Sequence, residues 1–279
     1  MASPDRYAVI GNPVAHSKSP AIHAAFAAQS GQQLVYERLL APLDGFASTL
    51  REFLAAGARG ANVTVPFKLE AHALASTLSE RARAAGAVNT LRFDGTSIHG
   101  DNTDGIGLVN DIVHNVGIDL RDTRVLLLGA GGAARGVLRP LLAQQPAQLV
   151  IANRHAEKAA ALAHQFDACG VLATAEFSAL EGQFDIIINA TSASLTAAVP
   201  AISPALFGAQ TLAYDMVYGV APTVFLQFAA LHGASTRDGL GMLVEQAAES
   251  FFVWRGVRPA TAPVLAALRA ELQSAQTAQ

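Results

Sequence analysis

The sequence predicts an α/β protein of two domains, the first built on a mainly parallel sheet and the second doubly wound. Three observations carry this. Short β-rich runs alternate with alanine-rich stretches of helical period along the whole chain, the pattern of parallel α/β architecture rather than of segregated layers. From Arg124 onward the alternation tightens into compact βαβ units, whereas polar loops separate the elements before position 105. A glycine-rich turn at 129–134 sits directly between an apolar strand and a helix. The length of 279 residues fits two domains of ordinary size.

Composition narrows the partners. With 51% hydrophobic and 15% charged residues the chain can bury a substantial core. Its 19 basic and 22 acidic residues give a net charge of −3, and no basic block stands out. Nucleic acid and anionic lipid are therefore not expected, and a small molecule is. Cys169 is the single cysteine, which excludes an intrachain disulfide and a multi-cysteine metal site and fits a reducing compartment. The opening MASPDRYAVIG lacks a basic segment followed by a long apolar one, and no stretch reaches about 18 uninterrupted apolar residues. A cytoplasmic protein is the expectation, and no metal site is anticipated.

Taken in order, the first strand is expected at 7–10, followed by the turn-rich loop GNPVAHSKSP and a helix over 19–28 with Ser19 as N-cap and Pro20 in its first turn. A strand at 34–39, a helix at 43–56 stopped by Gly57, and a strand at 61–65 ended by Pro66 come next. A further strand is expected at 88–92. GDNTDG (100–105) is expected as a loop leading into a helix at 106–116, where the hinge falls. Then follow strand 125–129, a helix from Ala133, strand 149–153, a helix from Ala156, and strands near Gly170, at 185–190 and at 211–217. Helices are expected at 222–231, 240–253 and 264–273.

The turn VLLLGAGGAARG places Gly129, Gly131 and Ala134 at G-x-G-x-x-[G/A] spacing. The first glycine permits the tight turn and the second admits a pyrophosphate to the backbone. Ala134 lets the helix sit close to the sheet while its N-terminal N–H groups attract phosphate. This is the fingerprint of a Rossmann-type dinucleotide-binding domain and implies a nicotinamide-dependent oxidoreductase. An NAD-preferring domain carries an acidic residue at the end of the next strand. Asn153 and Arg154 stand there instead, with Lys158 four residues beyond Arg154. A guanidinium and an ammonium suit a ribose 2′-phosphate, so NADP is favoured over NAD.

Three polar clusters precede the hinge. Ser17 and Ser19 in HSKSP offer hydroxyls near a helix N-terminus, suited to a carboxylate, although Ser19 as a plain N-cap is the simpler alternative. NVTVPFK puts Asn62 and Thr64 on one strand face with Lys68 just beyond, either as a group that titrates or as an ordinary exposed lysine. GAVNT and GDNTDG supply Asn89, Asn102 and Asp104, amides and a carboxylate fit for a polyhydroxylated ligand. A carboxylate beside Lys68 would make an acid–base pair for hydride-transfer chemistry. Asp101 competes with Asp104 for that role.

These clusters, with NATS (189–192), DMVY (215–218) and DGLGMLVEQAAESFFVW (238–254), resemble the shikimate dehydrogenase family over nearly the whole chain. The resemblance implies NADPH-linked reduction of 3-dehydroshikimate to shikimate, a step of aromatic amino acid biosynthesis. Lys68 would be the general acid/base and Asp104 its partner. Ser17 and Ser19 would hold the substrate carboxylate; Thr64, Asn89, Asp104, Tyr218 and Gln246 would read the ring hydroxyls, with Asn62 close by. Gly129, Ala130, Gly131, Gly132 and Ala133 would take the pyrophosphate. Asn153, Arg154, His155 and Lys158 would take the ribose phosphate, Met216 and Gly239 the nicotinamide end, and Glu80 a place near the cofactor. The implied substrate domain is discontinuous, 1–104 with 240–279, and the NADP-binding domain is 105–239. A homodimer is the one further association the resemblance admits.

The chain departs from the family pattern in places. N-R-T-x-x-R is here Asn153-Arg154-His155-Ala156-Glu157-Lys158, Ser194-Leu195 stands for Gly-Met, and Gly219-Val220 for Asn-Pro. A point charge grips phosphate less directionally than a guanidinium, so a less sharp NADP preference is expected. The changed loops bear on cofactor grip, not on Lys68 and Asp104. Two rivals remain: a broader quinate/shikimate dehydrogenase using NAD, and a non-catalytic NADPH-binding regulatory protein.

Overall fold

The computed structural model describes residues 4–166, 171–191, 193–196 and 198–277. It divides into two compact units, Met1–Gly107 with Val244–Val264, and Leu108–Leu243 with Leu265–Gln279. The first unit is discontinuous, and residues 265–279 group with the second unit rather than the first. Within the second unit Arg269 forks onto the Asp238 carboxylate at 2.7 and 2.6 Å.

The first unit contains β1 (Asp5–Gly11), α1 (Ser19–Ser30), β2 (Leu34–Leu40), α2 (Phe46–Ala55), β3 (Gly60–Val63), α3 (Lys68–Leu74), β4 (Thr77–Leu78), α4 (Glu80–Ala85), β5 (Thr90–Asp94) and β6 (Ser97–Asp101). Its sheet runs β2-β1-β3-β5-β6-β4. β1 is parallel to β2 and β3, and β4 to β6, while β5 is antiparallel to both neighbours. A central strand flanked on both sides needs an unbroken apolar run, and residues 7–10 of β1 are all buried. In α2, Phe46, Leu50 and Phe53 recur at helical spacing and are buried, each contributing about 1.5–3 kcal/mol of burial free energy.

Two expectations fail in this unit. The GDNTDG loop shrinks to Asn102 and Thr103: Gly100 and Asp101 complete β6 and Asp104 opens α5 (Asp104–Asn110), because the hairpin with β5 extends pairing as far as Thr90 and Asp101. Ser19 is not the N-cap either: Lys18 occupies that position with no side-chain cap, and Ser19 is the first helical residue. α5 then widens into a π-helical turn over Asp111–Val116.

The second unit holds β7 (Arg124–Leu128), α6 (Gly132–Ala143), β8 (Gln148–Asn153), α7 (Ala156–His164), β9 (Leu172–Glu176), β10 (Ile186–Asn189), β11 (Leu212–Asp215), α8 (Val224–Leu231) and β12 (Ser235–Asp238). All pairs in its sheet are parallel, in the order β12-β11-β10-β7-β8-β9. That is the doubly wound order, with a switch point where the sheet turns outward from β7 to β8 on one side and to β10 on the other. β7 is entirely buried from Val125 to Leu128. The strand expected near Gly170 lies partly outside the described residues, as does Cys169; β9 begins at Leu172. β12 was not foreseen, because its sequence STRD carries no apolar run. α9 (Leu240–Arg255) and α10 (Ala262–Thr277) close the chain. Among the described residues no helix is long and apolar enough to cross a membrane.

Candidate active site

Lys68 and Asp104 form an ion pair, with Nζ 2.6 Å from Oδ2. Local chemistry sets both ends. Lys68 opens α3 directly after Phe67, whose ring is buried and stacks on Phe46 at 4.9 Å between centroids. This apolar anchor fixes the start of the helix while the lysine stays 31% exposed, within reach of a ligand. Asp104 opens α5, and its backbone N–H donates to Asn102 Oδ1 at 3.1 Å. Asn102 is itself held by Ala87, its amide donating to the Ala87 carbonyl at 3.0 Å.

Asn89 completes the arrangement. Its amide nitrogen donates to Asp104 Oδ1 at 2.8 Å and to Thr103 Oγ1 at 2.9 Å, and lies 3.2 Å from Gln246 Oε1. Its Oδ1 accepts from the Thr103 N–H at 2.8 Å and from the Thr90 hydroxyl at 2.9 Å. One carboxylate oxygen of Asp104 thus faces the lysine and the other a neutral amide donor. Asp101 is excluded from the role because it is already spent: Arg81 forks onto it at 2.7 Å through both nitrogens and Ser79 donates to it. Burial, the largest single influence on the Asp101 carboxyl, pushes its pKa up, yet Arg81, Ser79 and the Asn102 N–H together hold it below its ordinary range.

The other expected substrate residues of the first unit divide by freedom. Asn62 is buried and its side chain is saturated, accepting from the Tyr36 hydroxyl at 2.7 Å and donating toward Asn89 O, Thr90 Oγ1 and Ser250 Oγ at 3.0–3.2 Å. It belongs to the scaffold behind the pair. Thr64 lies one residue past β3 and is half-buried. Ser17 is pinned through its carbonyl, which accepts both Arg38 nitrogens at 3.0 and 2.6 Å, and its hydroxyl receives the Ser19 N–H at 3.3 Å. Ser19, relieved of capping, is buried in the first turn of α1. Gln246 is buried among Asn89 and Thr103. Glu80 is exposed at the start of α4. Sequence reasoning missed Tyr36, Thr90, Thr103 and Ser250. Thr90, Thr103 and Ser250 lay inside the quoted motifs, whereas Tyr36 had no local signal.

In the second unit the glycine turn has the geometry a pyrophosphate requires. Gly129 sits at φ +107°, a conformation that L side chains rarely adopt, and a Cβ there would come within 3.1 Å of the Ala190 carbonyl oxygen. Gly131 and Gly132 face open space. Gly131 is the N-cap of the twelve-residue α6 and no side chain caps it, so the first N–H groups of the helix have no side-chain acceptor at that position. Ala130 is half-buried and Ala133 exposed, while Ala134 is buried against the sheet. At the end of β8, Asn153 is half-buried, and Arg154, His155 and Lys158 are exposed together at the start of α7. His155 lies 3.7 Å from Glu157. Open glycines at the start of α6 and two exposed cations around the start of α7 are groups that suit a dinucleotide bearing an extra phosphate.

Met216 and Gly239 are brought together. A Cβ on Gly239 would collide with the Met216 carbonyl oxygen, so only glycine allows this approach. Tyr218 follows two residues after Met216 and is half-buried. Ser194, one of the departures from the family pattern, gains a structural role: its hydroxyl donates to the buried Asp215 at 2.6 Å, alongside Thr223 at 2.6 Å.

The sequence matches three family models: the shikimate dehydrogenase substrate binding domain over residues 9–91, shikimate / quinate 5-dehydrogenase over 111–199, and the shikimate 5′-dehydrogenase C-terminal domain over 239–269. A shikimate dehydrogenase (NADP(+)) from Herminiimonas arsenicoxydans is 66% identical, covering 96% of this chain and 98% of its own. Among solved structures, an Ael1 enzyme from Pseudomonas putida superposes with a TM-score of 0.91 at 51% identity, over 95% of this chain and 98% of that one. Shikimate 5-dehydrogenase from Thermus thermophilus, in complex with NADP(H) and shikimate, gives a TM-score of 0.84 at 34% identity, over 95% and 99%. The chain therefore belongs to the shikimate dehydrogenase family.

Proposed function

We propose that Lys68, paired with Asp104, is the general acid/base of an NADP-dependent shikimate dehydrogenase, which reversibly reduces 3-dehydroshikimate to shikimate in the biosynthesis of aromatic amino acids. The observation that carries this is the 2.6 Å contact between the two side chains. The Lys68 ammonium donates a proton to the ketone oxygen as it becomes a hydroxyl, and the neutral amine takes that proton back in the reverse direction. Asp104 keeps the ammonium oriented and accepts from a neighbouring ring hydroxyl. Asn89 holds Asp104 in the acceptor state, and with Thr64, Tyr218 and Gln246 reads the remaining hydroxyls. Ser17 and Ser19 take the substrate carboxylate.

NADPH, when bound, supplies the hydride that reaches the ketone carbon. Gly129 to Ala133 and the open end of α6 receive its pyrophosphate. Arg154 and Lys158, with Asn153 and His155, receive the ribose phosphate, and Met216 and Gly239 form the nicotinamide end; Glu80 lies near the cofactor. In this reading the first unit is the substrate domain and the second the NADP-binding domain. The protein works on small molecules in the cytoplasm, with a homodimer as the assembly that sedimentation would test.

Steady-state rates with shikimate and quinate, each with NADP and NAD, decide the assignment. NADP-linked shikimate turnover is the expected dominant activity; dominant NAD-linked quinate turnover would overturn it.

A further inference from the structure

We infer that Thr90 is a positioning residue for the acid–base pair, the link in a one-way hydrogen-bond chain that runs from Tyr36 through Asn62, Thr90 and Asn89 to the Asp104 carboxylate. The inference rests on the roles proposed for Lys68 and Asp104.

Proton accounting gives the chain its direction. The Tyr36 hydroxyl has one proton and donates it to Asn62 Oδ1 at 2.7 Å. That contact turns the Asn62 amide nitrogen toward the Asn89 carbonyl at 3.1 Å, Thr90 Oγ1 at 3.2 Å and Ser250 Oγ at 3.0 Å. Asn89 Oδ1 carries no proton, so its 2.9 Å contact with Thr90 Oγ1 is made by the Thr90 proton. Thr90 Oγ1 then meets its other two neighbours with lone pairs, the Asn62 amide at 3.2 Å and the Ser250 hydroxyl at 2.8 Å, and Ser250 lies 3.0 Å from the Gln246 carbonyl as well. The Thr103 N–H reaches the same oxygen at 2.8 Å. With Oδ1 doubly engaged, the Asn89 amide nitrogen is committed to Asp104 Oδ1 at 2.8 Å, and Asp104 Oδ2 is left to Lys68.

Thr90, Thr103 and Ser250 are fully buried, so water does not compete for these groups. Each donor polarises the next, and the loss of one leaves a buried partner unsatisfied. Tyr36, Asn62 and Thr90 act in this chain without touching substrate.

The test replaces the hydroxyl without changing the shape. Thr90→Val is expected to lower kcat about tenfold while KM for shikimate changes less than about twofold, because the loss falls on the reacting geometry rather than on ground-state binding. The kcat–pH profile is recorded alongside and is expected to shift in Thr90→Val, which a merely structural loss would not cause. Thr90→Ser keeps the hydroxyl and is expected to restore both kcat and the profile. Tyr36→Phe, read in the same way, moves both in the same direction by less, and it serves as the test if Thr90→Val fails to fold. Unchanged kcat and an unchanged pH profile in the folded variants, or a loss in Thr90→Ser as large as in Thr90→Val, would overturn the inference. Lys68→Ala run alongside separates the two levels: if that variant turns over normally, the acid–base assignment itself has failed.

Discussion

Lys68 Nζ and Asp104 Oδ2 stand 2.6 Å apart, although 36 positions separate them in sequence. Asp104 is 12% exposed and Lys68 31%. The carboxylate is therefore sheltered and fixed while the ammonium keeps an open side, the arrangement a proton donor to a bound ketone needs. Lys68→Ala should reduce kcat by about 10³-fold, within the range that general acid–base catalysis contributes, and leave shikimate binding largely intact. Steady-state kinetics with calorimetric titration of shikimate measure both. Normal turnover would remove Lys68 from the mechanism.

Arg154 and Lys158 stand exposed at the start of α7, where an NAD-selective domain would carry an acid. Arg154→Ala should raise KM for NADP about tenfold or more and leave KM for NAD nearly unchanged, because only NADP carries the phosphate proposed to pair with the guanidinium. Lys158→Ala should have the smaller effect of the two. Equal losses for both dinucleotides would place the two cations elsewhere in the chemistry.

A buried charge cluster holds the second unit. Asp111 is fully buried and accepts from Arg237 at 2.7 and 3.2 Å and from the Tyr214 hydroxyl at 2.7 Å. The charged partner raises the Arg237 pKa further, and burial pushes the Tyr214 hydroxyl well above its usual range, so that it remains a donor. Arg237→Ala leaves a carboxylate without its counter-ion in the interior and should cost about 3 kcal/mol. Urea unfolding followed by circular dichroism reads this loss directly; a change below the scatter of the measurement would mean that the neutral donors Tyr214 and Asn115 satisfy the site without the cation.

His23 predicts an acid-sensitive component of stability. Its ring is fully buried and stacks on Tyr36 at 4.3 Å, and burial lowers its pKa from 6.5 to about 3, with Asn62 offsetting a little of that. The folded protein therefore keeps this imidazole neutral while the unfolded chain protonates it below about pH 6.5. Between those values the unfolded state binds the extra proton, so stability falls as pH falls, by up to about 1.4 kcal/mol per pH unit. Above about pH 6.5 the contribution is fully present and flat. His23→Phe, which keeps the aromatic stack, should have a shallower decline between about pH 6.5 and 5 in thermal melts. Parallel curves for the two proteins would show that the proton reaches His23 without unfolding.

Periodicity and turn chemistry placed most of the fold. The apolar run of β7, the glycine turn and the helix that follows are local features, and each is specified by its own neighbours in sequence. The same holds for Pro20 in the first turn of α1 and for Gly57 just past the end of α2. Where pairing is made over distance, sequence was less informative. GDNTDG looks like a loop because its residues favour turns, yet the hairpin with β5 draws Asp101 into a strand. STRD in β12 has no strand pattern of its own, and parallel pairing beside β11 supplies its backbone partners. The body of α10 is expected with the first domain, and residues 265–279 group with the second unit.

The candidate site shows the same division. Residue types alone determined that this chain carries a dinucleotide turn, two cations suited to an extra phosphate, and a lysine near several amides and carboxylates. They left Asp101 and Asp104 indistinguishable, because both are acids in one short motif. Tertiary structure decided between them: Arg81 and Ser79 consume Asp101, and Asn89 leaves Asp104 facing Lys68. It also brought Tyr36 and Ser250, from strand β2 and helix α9, onto the Asn62 side chain. Sequence specifies what a side chain can do, whereas hydrogen bonds between distant segments determine which of its donors and acceptors remain free to do it.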